Sequence, residues 1–217
     1  MFNKLSPAHI MSYIQSKISN YKNQKFEQDC RSRIKNQDFS IICSTCIGGV
    51  IYHRLGMQFL SPTINLWFYQ DEFIRFVRNL PHYMEQNLTF ISSEWDFPVA
   101  KLDDVRIMFN HAKSEDDARA AWDSRRNRIN YNNLYIILYD RDGISKQDIE
   151  NLKDIPCKRL VVLSENKHPD INYVKTIQKP KKSRPNDCTF LDKDIFGMRT
   201  FEKQFDFVAW LNGEDQY

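Results

Sequence analysis

A chain of 217 residues has room for one large domain or two small ones and can bury a sizeable core. With 41% hydrophobic and 13% aromatic residues it is too apolar to stay disordered, so a folded globular protein follows. Its 31 Lys and Arg nearly balance 28 Asp and Glu, and a net charge of +3 excludes a general electrostatic attraction to nucleic acid.

Ile10, Met11, Ile14, Ile18 and Tyr21 recur at helical spacing opposite Ser12, Gln15 and Ser16, with Lys17 and Lys22 near the end. This predicts an amphipathic helix over 7–21, followed by a polar linker, so that residues 1–36 precede a single α/β domain over 37–217. A basic helix of this kind docks weakly on a membrane face or a partner, or packs on the main body or a second copy. Phe39 to Cys43 reads as a short apolar strand, Ser44 to Gly49 as a turn, and Val50 to Leu55 as a helix that Gly56 stops. Thr63 to Tyr69 reads as a strand, and Asp71 to Leu80 as a helix burying Phe73, Ile74, Phe76, Val77 and Leu80, which Pro81 ends or kinks. Leu88 to Ile91 and Phe97 to Lys101 are strand-like, and Leu102 to Asp104 forms the turn of a hairpin returning through Val105 to Phe109.

Ser114 with Asp117 three residues on has the capping-box pattern. A helix from 115 to about 128 follows, burying Ala118, Ala121, Trp122 and Ile129, with Arg125, Arg126 and Arg128 where cations suit the helix dipole. Leu134 to Tyr139 is apolar without polar alternation, as a strand covered on both faces should be, and Asp140 to Gly143 terminates it. A helix from Ser145 to Leu152, a strand from Arg159 to Leu163, a Pro- and Lys-rich loop at Lys179 to Pro185 and a helix from Phe201 to Leu211 complete the chain. The alternation predicts an α/β fold: a mixed, mainly parallel sheet with helices on both faces and an antiparallel hairpin.

In such sheets ligands gather at the carboxyl ends of strands, and two segments meet that description. In Ser44 to Gly49, the Gly48 and Gly49 amides can approach an anion beside Thr45, and the start of a helix favours a thiolate at Cys46 as nucleophile or binding thiol. The bland alternative is a tight turn with a small buried cysteine. Cys43 and Cys46 also form a Cys-x-x-Cys pair, a dithiol site or half a zinc site, but only His53 lies nearby in sequence as a further ligand, so no metal set is assigned. In the second segment, Asp140 and Asp142 around Arg141 hold a divalent cation against a diphosphate or orient a histidine, or simply make a turn. His111 and His53 are the candidate bases, and Arg125 with Arg141 the candidate binding cations.

The five cysteines (Cys30, Cys43, Cys46, Cys157 and Cys188) are odd in number and scattered, which favours a reducing compartment. No stretch approaches the roughly 20 apolar residues of a membrane span, and a cleavable leader pattern is lacking, so the cytoplasm is the expected location.

Phe39 to Cys46 with Gly48, Gly49 and Tyr52, the stretch Ser61 to Leu66, Phe97 to Ile107, Phe109 to Ser114, Trp122 to Asn130 and Asp140 to Gly143 form an ordered set. Together they resemble a bacterial domain-of-unknown-function family, number nineteen-nineteen, often described as exopolysaccharide biosynthesis proteins. The resemblance runs from about residue 37 to the Trp210 to Gly213 end. It departs at the strand end, where Cys43 and Ser44-Thr45 stand in place of Ser and Asn-Asn, leaving Cys46, Gly48 and Gly49 shared. The resemblance implies an enzyme of capsular or exopolysaccharide biosynthesis that transfers an acyl or glycosyl group on a glycan precursor, with a nucleotide sugar, acyl donor or glycan as substrate and no cofactor assigned. The alternative it implies is a non-enzymatic accessory or scaffold of the same pathway; the cysteine pair separately allows a thiol redox protein.

Overall fold

Four parallel strands carry the architecture. The computed structural model describes residues 6–141, 143–180 and 189–217; Asp142, Cys188 and most of the basic 179–185 loop lie outside the described residues. Contacts divide the chain into two units, one drawn from residues 1–35, 54–56 and 177–217, the other from 36–53 and 57–176.

The larger unit holds β1 (Ser40–Cys43), β5 (Leu134–Tyr139), β6 (Arg159–Ser164) and β7 (Val174–Thr176), hydrogen-bonded in the order β1-β5-β6-β7 and all parallel. A separate antiparallel sheet is built from β2 (Thr89–Ile91), β3 (Val99–Leu102) and β4 (Val105–Met108). The hairpin between β3 and β4 turns at Asp103, whose φ of 59° is the left-handed conformation that Asp tolerates in tight turns. Every residue of β1 and β5 is buried, which is why these strands read as apolar runs and not as alternations.

Successive strand residues point to opposite faces, and the packing divides accordingly. Ile42, Ile136, Leu138 and Val162 share one buried cluster with Phe73 and Phe76 of α3 (Gln70–Arg78) and Ala118 and Trp122 of α5 (Glu115–Arg126). Each of the larger side chains contributes about 1.5–3 kcal/mol by leaving water, and the Ala118 methyl about 0.8 kcal/mol. The other face meets α2 (Ile47–Leu55): a Cβ placed on Gly48 would stand 3.0 Å from Cys43 Cβ and 3.4 Å from Ile41 Cγ2. Only a glycine lets the helix sit this close to the strand. Helices therefore cover both faces of the parallel sheet.

Several elements differ from the sequence reading. Residues 63–69 are not a strand: Ile64, Leu66 and Phe68 are buried in alternation, but Asn65 has φ 61° and only Trp67 forms a bridge, to Met108. Period two is present there without a ladder. The helix over 71–80 breaks at Asn79, and α4 (Leu80–Glu85) restarts with Pro81 in its first turn, where a missing N–H costs nothing. The final helix is two pieces, a 3-10 turn at Phe201–Lys203 and a helix at Phe207–Leu211, because Asp206 accepts from the Val208 and Ala209 amides and starts a new helix.

In the smaller unit α1 (Pro7–Arg33) runs beyond the expected 7–21, its second half supported by the i,i+4 pairs Glu27–Arg31 and Asp29–Arg33. Arg54 sits at the centre of this unit, with Nε 2.7 Å from Glu202 Oε1 and Nη1 3.1 Å from Glu27 Oε1. The side chain of Glu202 is fully buried and also accepts from the Arg199 amide. The unit also includes Phe26 packed edge-on to Phe207.

Candidate functional site

Because β1 and β5 are neighbours in parallel register, with Cys43 opposite Ile137, their carboxyl-end turns stand side by side. The Ser44 amide donates to Ile137 O at 3.1 Å, and the Tyr139 amide donates to Ser44 Oγ at 2.9 Å, which ties the two turns together. Asp140 is buried: Oδ1 accepts from the Gly143 and Ile144 amides at 3.0 and 2.7 Å, and Oδ2 accepts from Ser164 Oγ at 2.6 Å. Three donors on one carboxylate fix the turn after β5 to the end of β6. Arg141 lies with its guanidinium carbon 4.6 Å from the Trp67 ring centre, and Trp67 meets the exposed Trp95 edge-on at 6.0 Å. Asp142 is not described, and among the described residues no group of three His, Cys, Asp or Glu stands close enough to hold a metal ion.

The irregular segment 63–68 is laid across the β1–α2 turn. Thr63 Oγ1 accepts from the Cys43 amide at 2.9 Å, and the Phe68 amide donates to Ser44 O at 3.1 Å. Cys46 is partly exposed, and its thiol points to Leu66 O at 3.9 Å. A Cβ on Gly49 would meet Ile64 Cγ2 and Asn65 Oδ1 at 3.3 Å, so this glycine lets the covering segment close down on the start of α2. Gly48 and Thr45 are buried in the same turn. Cys43 is completely buried, and burial pushes its thiol pKa up against the opposing effect of nearby amides, those of Thr45, Gly48 and Ile47. No disulfide joins Cys43 and Cys46.

Where this segment meets α5 the surface opens into a cavity of about 260 Å³. Its walls are Ile64, Phe109, Ala118 and Trp122, and its polar groups are Asn65, His111, Lys113, Asp117 and Arg125. Arg125 is the informative group. Its guanidinium is half-buried, donates to Ile64 O at 3.1 Å and lies 5.3 Å from the Phe59 ring centre, yet no carboxylate of the described residues is within ion-pair distance. Burial, with the charge of Arg128 added, holds its pKa below the ordinary guanidinium value. A cation kept out of water without a counter-ion is a place where a bound anion gains the most.

The structure thus brings His111 and Arg125 together at one cavity, with Gly49 against its wall residue Asn65. His53 is exposed on α2 and touches Phe59, the ring that Arg125 covers, at 6.1 Å, without lining the cavity. Cys46, Asp140 and Arg141 belong to the strand-end rim beside it and are not among the lining residues. The sequence reading missed Asn65, Lys113 and the Trp67–Trp95 pair. A signal existed for the first two: Ser61 to Leu66, Phe109 to Ser114 and Trp122 to Asn130 are stretches that carry the family resemblance, and all three line this cavity.

Comparison with known proteins agrees with the family of that resemblance. The family described as a domain of unknown function, DUF1919, matches residues 17–212. The chain belongs to the DUF1919 family. A relative from Haemophilus influenzae, named only "Uncharacterized protein", is 32% identical over 193 residues, covering 88% of this chain and 93% of its own length. The DUF1919 match includes both the cavity and the strand-end rim, and also most of α1. No helix among the described residues is long and apolar enough to cross a membrane.

Proposed function

We propose that the cavity under Arg125 binds the anionic part of a glycan precursor, a sugar phosphate or nucleotide sugar, and that the chain transfers an acyl or glycosyl group in surface-polysaccharide biosynthesis. The observation that carries this reading is the half-buried Arg125 without a carboxylate partner among the described residues, beside Lys113 and His111. Two cations suit a phosphate or diphosphate, and the apolar wall of Trp122, Phe109 and Ile64 suits a ring. In glycosyl transfer, His111 takes the proton of an acceptor hydroxyl whose oxygen forms the new glycosidic bond, while the bond from the sugar to the phosphate breaks and Arg125 and Lys113 hold the charge on the departing phosphate. In acyl transfer, the hydroxyl oxygen forms the ester, His111 takes its proton, and the coenzyme A thiolate departs. Cys46 is the alternative nucleophile, at the neighbouring rim. The polysaccharide context comes from the family resemblance, and the anion preference from the cavity.

The test is titration calorimetry of the full chain with a uridine-diphosphate sugar and with an acyl-coenzyme A, comparing wild type, Arg125→Met and Cys46→Ala. Binding of the nucleotide sugar that Arg125→Met weakens supports the reading. Loss of turnover but not of binding in Cys46→Ala would assign the nucleophile to the rim. Absence of binding to either class of donor would sink the enzyme and favour an accessory role in the same pathway.

A further inference from the structure

A surface helix ordinarily turns its apolar stripe to the protein and its polar side to water. The first four turns of α1 do the reverse. On a helix of about 3.6 residues per turn, Ile10, Ile14, Tyr21, Ile18 and Met11 fall within an arc of about 100°, and all five are exposed. Gln15, Ser19 and Asn23 lie roughly 130° around from the centre of that stripe. These polar side chains fasten the helix to its own unit: Ser19 Oγ and Asn23 Nδ2 each donate to Phe196 O at 2.8 Å, and Gln15 Nε2 donates to Ile195 O at 3.3 Å. The fastening is closely fitted. Gly197, at φ 80°, leaves no room for a Cβ, which would stand 2.7 Å from Asn23 Nδ2 and 2.9 Å from Ser19 Oγ. Asp194 holds the same turn by accepting from the Phe196 and Met198 amides.

The helix is thus held by its polar side with its apolar stripe presented outward, and the charge around the stripe says what covers it. Residues 6–26 contain Lys17, Lys22 and Lys25 and no Asp or Glu. Lys17 and Lys25 are exposed beside the stripe. Two copies packed stripe to stripe would bring these lysines together without the carboxylates that normally flank such a seam. An anionic surface meets both features at once.

We infer that α1 is an interfacial helix that lays Ile10, Met11, Ile14, Ile18 and Tyr21 into an anionic phospholipid surface while its lysines meet the headgroups. The lipid is the partner of the smaller unit alone, so this inference stands independently of the cavity. The geometry is that of an in-plane helix, whose affinity combines buried apolar area with attraction to anionic lipid.

The full chain is floated with phosphatidylcholine vesicles prepared with and without phosphatidylglycerol. Binding is expected only when phosphatidylglycerol is present, and it should weaken as salt is raised. Lys17→Glu with Lys25→Glu should weaken partitioning by at least about 25-fold, at about fivefold per lysine. Ile14→Gln with Ile18→Gln should abolish it, and because both positions are exposed the variant should melt like wild type. Equal binding to both vesicle types, binding to neither, or wild-type binding by the two variants would overturn the inference. So would a dimer in sedimentation equilibrium that the Ile14→Gln, Ile18→Gln variant dissolves, since the second copy would then be the occupant.

Discussion

Replacing Arg125 by Met separates a residue kept for a ligand from one kept for the fold. Met retains much of the apolar stem but removes the donor to Ile64 O and the charge over Phe59. The lost hydrogen bond costs about 1 kcal/mol and the lost ring contact about 0.5–1 kcal/mol. Against this, the variant no longer holds a half-buried cation next to Arg128 without a carboxylate beside it among the described residues, and that relief opposes the two losses. The net change in stability should stay within about 1 kcal/mol, a Tm shift of no more than about 4 °C in a chain of this size. Binding has no such compensation: a charge-assisted hydrogen bond to an anion is worth about 1.5–3 kcal/mol, or roughly 10-fold to 150-fold in Kd. Calorimetry with a uridine-diphosphate sugar and a thermal melt on the same sample read both quantities. A fall of more than about 10 °C with unchanged affinity would show that Arg125 is a strut between α5 and residue 64, and the anion argument would be refuted.

Other perturbations test the rest of the molecule. Arg54→Met takes the nearer guanidinium from the fully buried Glu202 carboxylate, leaving Arg199 Nη1 at 3.9 Å, and should cost about 3 kcal/mol in denaturant unfolding; a loss below about 1 kcal/mol would mean that Arg199 or water takes over the charge. Asp194 is desolvated, but its hydrogen bond from Lys203 and those from the Phe196 and Met198 amides outweigh that and leave its pKa below the ordinary 3.8. The sign follows: its stabilising contribution is fully present above the unfolded value and is lost as pH falls through the lower folded value. The stability advantage of wild type over Asp194→Asn should therefore be constant near neutrality and shrink below about pH 3.8, as acid titrations followed by circular dichroism would show; an advantage that survives to lower pH would remove Asp194 from the account. Burial pushes the Cys30 thiol up to about 12 and the Cys157 thiol up to about 11, and raises that of Cys43 as well. Iodoacetamide at neutral pH should accordingly modify Cys46 before any of these three, as peptide mapping by mass spectrometry would read; prior labelling of Cys43 would show that segment 63–68 opens readily.

Much of the framework was legible in residue order. Leu134 to Tyr139 was read as a strand with its observed bounds because six apolar side chains in a row suit only an element buried on both faces. Ser114 capped its helix as expected, accepting from the Asp117 amide at 3.1 Å. Segment 63–69 was misread because alternating burial is a local pattern, whereas a strand also needs a neighbour to complete its ladder. The site was legible only in pieces. Residue types mark His111, Arg125, Cys46 and Asp140 as candidates, but nothing local reveals that Ser164 completes the donors around Asp140 while Arg125 has no carboxylate within ion-pair distance among the described residues.

The sequence by itself determined the α/β class, the strand with both faces covered, the Ser114 cap and the two glycines at the β1–α2 turn, since propensity, periodicity and capping act over a few residues. Tertiary structure alone decided that residues 63–68 cover that turn, that three distant stretches share one cavity, and that α1 is fastened by its polar side. Each of these depends on which groups find partners across long sequence separations. Hydrogen bonding and burial settle that only when the whole chain has folded.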